Sequence, residues 1–195
     1  MIQTSPSLHL ASASPRRREI LTALGLEFSA AGVDLDESEL PGESPEAFVR
    51  RLAEEKALAA RSGVAASTVV LGADTAVVLD GEIFGKPGNC DEGVGMLLRL
   101  SGRTHEVLTG VSVARSEGTE TRCSRTRVRF RDIDPEEAEN YWHSGEPADK
   151  AGGYGIQGRG GIFVAGLEGS YSGVVGLPVY ETAELLTAAG IRILG

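Results

Sequence analysis

Apolar and polar residues follow two different periods along this chain, and strand-like and helix-like segments are mixed throughout its length. The apolar residues 8–12 predict a short strand. Ser14 then stands at the N-cap of a predicted helix, because Pro15 suits the first helical position and Gly25 marks the helix end. The sequence shows no repeat, low-complexity tract or long linker. This pattern predicts an α/β fold over residues 1–195, built as one domain or two tightly joined lobes.

A second predicted helix begins at Pro45, with Ser44 as its N-cap. Residues about 100° apart around the helix form one apolar stripe. The members of this stripe are Phe48, Val49, Leu52, Ala59 and Ala60. Lys56 falls inside the stripe, in a chain that otherwise prefers arginine to lysine. Its side chain either runs along the core and ends in water, or directs its ammonium group into a cleft.

Residues 68–87 form a long apolar segment in which Asp80 and Gly81 predict a two-residue hairpin turn. Asp74 interrupts this segment, and a carboxylate in an apolar strand must be paired, protonated or metal-bound. Asp74 is therefore a candidate catalytic residue, although a strand-end aspartate that satisfies a turn is the alternative. Regular hairpin pairing sets Lys86 opposite Thr75, so cooperation of Lys86 with Asp74 requires a bulge or a twisted strand end.

The formal net charge of −9 changes the range of possible partners. Nucleic acids and anionic membranes bind proteins with extended positive potential, so we expect neither as a partner. Any anion site must be local, and the three arginines Arg16, Arg17 and Arg18 mark such a place. They occupy a helix start, where the dipole disfavours cations and the free N–H groups suit an oxyanion. A solvated first turn paired with nearby acids is the alternative interpretation.

Cys90 and Cys123 fit no metal or redox spacing and are interpreted as ordinary thiols. The sequence contains neither a leader-like segment at its start nor an apolar stretch near the ~20 residues that span a bilayer. These features predict a soluble cytoplasmic protein. The three histidines are scattered without metal-ligand spacing and are interpreted as incidental. The alternating arginines of residues 125–131 predict a strand with a solvated arginine face.

Two loops carry further candidate chemistry. Residues 152–161 contain six glycines and either let backbone approach a ligand or form a flexible surface loop. A strand-like segment follows them, which excludes the dinucleotide fingerprint. Glu37 lies in an acidic loop and is a candidate ligand for a hard cation beside Asp74, with Asp36 as its possible replacement. A solvated acidic loop explains the same residues equally well.

These groups together suit a polyphosphate and a divalent cation. Phosphoryl chemistry requires cations around the phosphates, a metal that bridges oxygens, and a base that orients water. The sequence offers no obvious serine, cysteine or histidine nucleophile, so direct attack by water is the simplest mechanism.

The chain also resembles a known family in five segments that occur in the family's order and spacing. They are SASPRRREIL, VRRLAEEKA, GADTAVVLDGEIFGKP, DKAGGYGIQGRGG and VVGLP. These segments resemble Maf proteins, nucleoside triphosphate pyrophosphatases once named as septum-formation inhibitors, from about residue 8 to residue 189. The resemblance implies a mixed, curved sheet flanked by helices, in two lobes around a cleft, as in inosine triphosphate pyrophosphatase. It also implies a divalent metal cation, Mg²⁺ or Mn²⁺, and a homodimer.

The resemblance assigns roles to individual residues. It implies that Asp74 is the proton acceptor and that Glu37 is an essential position. We add the hypothesis that Glu37 and Asp74, or the water bound to Asp74, hold the metal. The other essential positions match Ser14, Arg16, Arg17, Lys56 and Lys86. Arg16, Thr75 and Gln157 match the specificity positions of the subfamily that acts on dTTP and UTP. The sister subfamily, which prefers 7-methyl-GTP, has tryptophan where Arg16 stands and lacks the segment 154–157.

The resulting hypothesis is hydrolysis of dTTP and UTP, and possible modified pyrimidine nucleotides, to the monophosphate and pyrophosphate. Asp74 activates water for attack on the α-phosphorus, and the cationic side chains neutralise the triphosphate. Two alternatives stay open: a non-catalytic nucleotide-binding regulator of cell division, and a 7-methyl-GTP pyrophosphatase.

Overall fold

A computed structural model describes residues 6–194, and residues 1–5 and 195 of the predicted domain lie outside the described part. The described residues form one seven-stranded mixed sheet in the order β2-β1-β3-β5-β6-β7, with β4 beside β3. The strands are β1 Leu8–Leu10, β2 Phe28–Ala30, β3 Val69–Leu79, β4 Glu82–Phe84, β5 Thr104–Arg115, β6 Gly118–Phe130 and β7 Val164–Glu168. The helices are α1 Pro15–Ala23, α2 Pro45–Arg61, α3 Cys90–Leu100, α4 Pro135–His143, α5 Tyr171–Val175 and α6 Val179–Ala188. A mixed sheet flanked by helices confirms the predicted fold class.

Strand β3 lies inside the sheet, and its two edges pair with different strands. One edge pairs antiparallel with β5 without interruption from Val70 to Val78. The other edge pairs in parallel with β1 at residues 69–71 and antiparallel with β4 at residues 77–79. Between these two partners, residues 72–76 have no strand partner on that edge within the described chain. Asp74 lies at the centre of this opening.

Helix α2 covers one face of the sheet and lies unusually close to it. A Cβ atom at Gly72 or Gly110 would collide with the α2 backbone at Ala53 and Val49. Glycine at both positions therefore permits a close approach that brings α2 side chains onto β3. The buried residues of α2 are Phe48, Val49, Leu52, Ala53, Lys56 and Ala57. The predicted stripe was wrong at Ala59, which is exposed, because the helix packs through Ala53 and Ala57 instead.

The opposite face of the sheet carries two separate hydrophobic clusters. One joins β1 and the first half of β3 to α1 and α6 through residues such as Leu21 and Leu186. The other joins the second half of β3 to α3 and α4 through residues such as Leu97 and Tyr141. Helix α5 contacts β5 and β6. The helices on this face thus form two groups at the two ends of β3.

Local signals explain several element boundaries. Asp80 and Gly81 have φ angles of 53° and 85° and connect β3 to β4, which confirms the predicted two-residue hairpin turn. Ser44 caps α2 as predicted, because its side chain accepts a hydrogen bond from the backbone N–H of Ala47. Ser14 stands at the N-cap position of α1, but its side chain makes no capping hydrogen bond. Within residues 6–194, no helix combines the length and apolar character needed to cross a membrane.

Candidate active site

A cavity of about 890 Å³ opens beside the unpaired stretch of β3. Every site residue named from the sequence contributes to its wall. They are Ser14, Arg16, Arg17, Glu37, Lys56, Asp74, Thr75, Lys86 and Gln157. These residues come from α1, α2, β3 and three loops, so the fold gathers side chains that lie up to 143 positions apart in sequence, from Ser14 to Gln157. Asp36, the alternative to Glu37, is not part of the wall and instead accepts hydrogen bonds from Ser38.

Lys56 joins the two carboxylates of the site. Its ammonium nitrogen Nζ lies 2.6 Å from Asp74 Oδ1 and 2.7 Å from Glu37 Oε1. Lys56 is 8% exposed, so it does not extend into bulk water. Of the two interpretations open from the sequence, the structure supports the ammonium group directed into a cleft. The ion pair also satisfies the buried carboxylate that interrupts β3.

The two carboxylates differ in their proton affinity. Burial raises the pKa of Asp74, and the nearby charges of Lys56 and Arg17 offset this effect only in part. Burial also raises the pKa of Glu37, but the hydrogen bond and charge of Lys56 outweigh it and lower the pKa overall. The raised pKa of Asp74 suits a proton acceptor, whereas the lowered pKa of Glu37 keeps that carboxylate ionised.

Lys86 reaches the site by a different route from the one considered in the sequence. Strand β4 ends at Phe84, so Lys86 lies beyond the hairpin and no register shift interrupts the pairing of β3 with β4. The carbonyl of Gly85 accepts a hydrogen bond of 3.0 Å from the backbone N–H of Gly152, which ties this segment to the glycine-rich loop. Lys86 is exposed and lines the cavity, and its charge contributes to the lowered pKa of Glu37.

The three arginines of α1 have three different environments. Arg17 donates from Nε to the carbonyl of Gly176, from Nη1 to Ser12 Oγ and from Nη2 to Thr75 Oγ1, at 2.8, 3.2 and 3.4 Å. A guanidinium has five N–H groups, so two remain for a ligand. Arg16 lies 3.7 Å from the exposed carboxylate of Asp149. Arg18 is exposed and does not line the cavity.

Two linked hydroxyl groups determine whether Thr75 can donate or accept a hydrogen bond to a ligand. Thr109 Oγ1 donates to the carbonyl of Gly173 at 2.8 Å, and it lies 3.0 Å from Thr75 Oγ1. Because the single proton of Thr109 is already used, Thr75 must be the donor between the two hydroxyls. Thr75 then accepts from Arg17 and can accept, but not donate, one further hydrogen bond. Sequence reasoning missed Thr109, which is buried on β5 and carries no local signal.

The glycine-rich loop is built differently from the flexible surface loop considered in the sequence. Its backbone N–H groups at Arg159 and Gly160 donate to the Glu146 carboxylate at 2.9 and 3.0 Å. Gln157 is exposed at the tip of the loop and lines the cavity. Strand β7 follows the loop, in agreement with the rejection of a dinucleotide fingerprint. Sequence reasoning missed Glu146, whose only signal is its position shortly before the motif DKAGG.

The donor set of the site fits a hard cation that also binds substrate phosphates. Lys56 occupies one oxygen of Glu37 and one of Asp74, and no hydrogen bond within residues 6–194 uses Glu37 Oε2 or Asp74 Oδ2. Mg²⁺ commonly takes one or two protein carboxylates together with phosphate oxygens and water. The described chain contains no cluster of three or more acidic, histidine or cysteine side chains that could hold a metal by itself.

The remaining sequence interpretations concern groups outside the cavity wall. The arginine face of β6 is solvated as predicted: Arg125 and Arg127 pair with Glu106 and Glu168, while Val128 is buried. His105 is only 1% exposed, which is more buried than the sequence suggested. Burial lowers its pKa to about 4.

Comparison with known proteins gives a consistent result. The model of the Maf-like protein family matches residues 7–189. The dTTP/UTP pyrophosphatase of Hahella chejuensis is 54% identical over 188 residues, which are 95% of this chain and 94% of that protein. The dTTP/UTP pyrophosphatase of Methylococcus capsulatus is 54% identical over 184 residues, or 94% and 91% of the two chains.

Solved structures resemble the chain more distantly. The Ham1 protein of Staphylococcus aureus has a TM-score of 0.45 and 17% identity, covering 66% of this chain and 72% of that one. The nucleoside-triphosphatase, or dITP/XTP pyrophosphatase, of Mycobacterium abscessus has a TM-score of 0.40 and 16% identity, covering 64% and 72%.

Proposed function

The chain belongs to the Maf-like protein family, and on this premise we propose that it is a nucleoside triphosphate pyrophosphatase that hydrolyses dTTP and UTP. The products are the nucleoside monophosphate and pyrophosphate. The observation that carries the proposal is the convergence of four cationic side chains and two carboxylates on one cavity of about 890 Å³. The four cations are Arg16, Arg17, Lys56 and Lys86. Cationic side chains of this kind stabilise the negative charge of a triphosphate.

In the proposed reaction, the triphosphate lies between the start of α1 and the two lysines. Arg17 is held by three acceptors and offers its two remaining N–H groups to phosphate oxygens. Arg16 and Lys86, which also line the cavity, add positive charge. Because Arg17 is held in place before the ligand arrives, little reorganisation is needed when negative charge develops.

Asp74 acts as the general base. It removes a proton from a water molecule whose oxygen attacks the α-phosphorus, and the bond between that phosphorus and the bridging oxygen breaks to release pyrophosphate. The raised pKa of Asp74 makes it a better proton acceptor than an ordinary aspartate. A divalent cation would neutralise phosphate charge, with Glu37 and Asp74 as ligands directly or through bound water. Lys56 holds both carboxylates in position.

We assign recognition of the base to Thr75 and Gln157. Thr75 can only accept a further hydrogen bond, and uracil and thymine offer an N3–H donor where cytosine offers an acceptor. The amide of Gln157 supplies both a donor and an acceptor for the pyrimidine edge. These groups favour dTTP and UTP over CTP.

The proposal is tested by incubating the purified protein with Mg²⁺ and, separately, dTTP, UTP, CTP and 7-methyl-GTP. We expect dTMP or UMP and pyrophosphate as products, with little turnover of the other two nucleotides. Release of dTDP and orthophosphate from dTTP would contradict the reaction. A preference for 7-methyl-GTP would favour the sister specificity, and binding of dTTP without turnover would favour a nucleotide-binding regulator. Sedimentation of the same preparation tests the homodimer that we also propose.

A further inference from the structure

The carboxylate of Glu146 occupies backbone N–H groups of the glycine-rich loop that a phosphate would otherwise bind. Glu146 uses both carboxylate oxygens: Oε2 accepts from the N–H of Arg159 at 2.9 Å, and Oε1 accepts from the N–H of Gly160 at 3.0 Å. Oε1 also accepts a hydrogen bond of 2.7 Å from the hydroxyl of Tyr141. Burial raises the pKa of Glu146, but these hydrogen bonds outweigh it and lower the pKa, so the carboxylate stays ionised.

Tyr141 holds the other end of the same loop. Its hydroxyl oxygen accepts a hydrogen bond of 3.0 Å from the backbone N–H of Gly155. Tyr141 lies on α4, is 5% exposed, and packs edge-on against Phe163 with ring centroids 5.1 Å apart. The anchor of the loop therefore belongs to the hydrophobic cluster behind the site, outside the cavity wall.

The glycines of the loop are required by these two side chains. A Cβ atom at Gly158 would overlap the carboxylate of Glu146, and one at Gly160 would lie 2.5 Å from the Tyr141 hydroxyl. The glycine spacing thus admits a protein carboxylate and a phenol, and the N–H groups at residues 159 and 160 are no longer free for phosphate. The polar side chain that residues 155–160 present to the cavity is that of Gln157, which lies between the two anchored ends.

We propose that Glu146 and Tyr141 are positioning residues for base recognition, because together they hold both ends of residues 155–160 and so fix Gln157 against the cavity. This inference rests on the proposed function, in which Gln157 contacts the pyrimidine. Neither residue is assigned contact with the reacting phosphates. Their loss should therefore change which base is accepted much more than how the triphosphate is bound.

The test compares Glu146→Ala with Glu139→Ala, a neighbouring exposed glutamate on α4 for which the structure shows no side-chain hydrogen bond. We expect the ratio of kcat/KM for UTP to that for CTP to fall roughly tenfold in Glu146→Ala, because small displacements of a contact group have effects of this order or larger. Inhibition by pyrophosphate should be unchanged. Glu139→Ala should match the wild type in both measurements.

Two further measurements separate positioning from a general structural defect. Tyr141→Phe should lower the same ratio, and the double variant Glu146→Ala/Tyr141→Phe should be little worse than Glu146→Ala, because the two side chains act as one unit. Amide hydrogen exchange at Arg159 and Gly160 should accelerate in Glu146→Ala, whether or not substrate is present.

The inference is overturned if Glu146→Ala loses activity equally for every nucleotide while the UTP-to-CTP ratio stays constant, or if exchange at residues 159 and 160 is unaffected. Failure of the proposed function is visible separately, because it would appear in the wild-type protein as the absence of pyrophosphate release from dTTP and UTP. The exchange measurement reports on the Glu146 anchor independently of that activity.

Discussion

The start of helix α1 and the glycine-rich loop both look like anion sites in the sequence, yet they differ in what their backbone donors contact. At α1, Ser14 makes no capping hydrogen bond and the first turn contains no acidic residue, so the helix start is open to the cavity. In the glycine-rich loop, Glu146 already occupies the donors of Arg159 and Gly160. Because the glycine-rich loop has its donors occupied, the start of α1 is the better candidate for the proposed phosphate site, although it contains fewer glycines.

This difference divides the cavity into two walls with separate tasks. We call the side formed by α1, α2 and Asp74 the phosphate wall, and the side formed by residues 146–158 the base wall. Thr75, which accepts a hydrogen bond from Arg17 and is assigned to base recognition, is counted in neither wall. Substitutions in the phosphate wall should impair all nucleotides alike. Substitutions in the base wall should change the preference between them.

The largest effect is expected at Asp74 in the phosphate wall. Asp74→Asn keeps the size of the side chain but removes the proton acceptor, so kcat should fall about 1000-fold for dTTP and UTP equally. Asp80→Asn is the matched control, because Asp80 lies in the exposed turn of the same hairpin and asparagine tolerates its φ of 53°. Pyrophosphate release measures both variants. Near-normal turnover by Asp74→Asn would remove Asp74 from the role of base.

Arg17 provides the next test of the division. Arg17→Met should lower kcat/KM about 100-fold for every nucleotide, because a preoriented guanidinium that stabilises phosphate charge is lost. Arg18→Met is the control, since Arg18 is exposed and outside the cavity wall. A change in the UTP-to-CTP ratio in Arg17→Met, as large as the loss of activity, would mean that the two walls are not separate.

Part of the phosphate wall could be predicted from sequence, because two of its charged residues interrupt apolar patterns. Asp74 interrupts an apolar strand and Lys56 interrupts an apolar helix stripe. A charged residue in an apolar pattern can be recognised from the sequence alone. Short-range rules also predicted the turn at Asp80 and the cap at Ser44. The hairpin pattern did not place Lys86, because β4 ends before it.

The base wall could be predicted only in part. Gln157 was named through the family resemblance, but its supports Glu146 and Tyr141 resemble ordinary surface and core residues in sequence. Their role depends on hydrogen bonds that Tyr141 on α4, and Glu146 after it, accept from loop residues 13 or 14 positions away, which no local periodicity records.

His105 makes the free energy of unfolding depend on pH. It lies behind the loop, with its Nε2 atom 2.8 Å from the Tyr154 hydroxyl, and burial lowers its pKa to about 4 from 6.5. The unfolded chain therefore binds a proton more readily, so this contribution to stability is complete above about pH 6.5 and is lost as the pH falls towards 4. The loss between pH 7 and pH 4.5 should be about 2 kcal/mol.

His105→Gln should reduce this pH dependence, because glutamine can reach the same hydroxyl and does not titrate. Urea unfolding of both proteins at the two pH values gives the comparison, and other titrating groups cancel in the difference. An equal loss of stability in wild type and His105→Gln would show that the folded protein protonates His105 as readily as the unfolded chain does.

The smallest effect is expected at the N-cap serines of α1 and α2, of which only Ser44 makes a capping hydrogen bond. Ser44→Ala should lower the free energy of unfolding by about 1 kcal/mol, because it removes the hydrogen bond to the Ala47 N–H. Ser14→Ala should cost less than about 0.5 kcal/mol, since no such bond exists at α1, and should instead raise the KM for dTTP and UTP together. Urea unfolding measures the stability of the two variants, and steady-state kinetics measures the KM of Ser14→Ala.

If Ser14→Ala is as destabilising as Ser44→Ala and leaves KM unchanged, the start of α1 is capped by its own serine in solution. It would then resemble the glycine-rich loop in having donors already occupied by the protein, and the division between the two walls would rest on Arg16, Arg17 and the lysines alone.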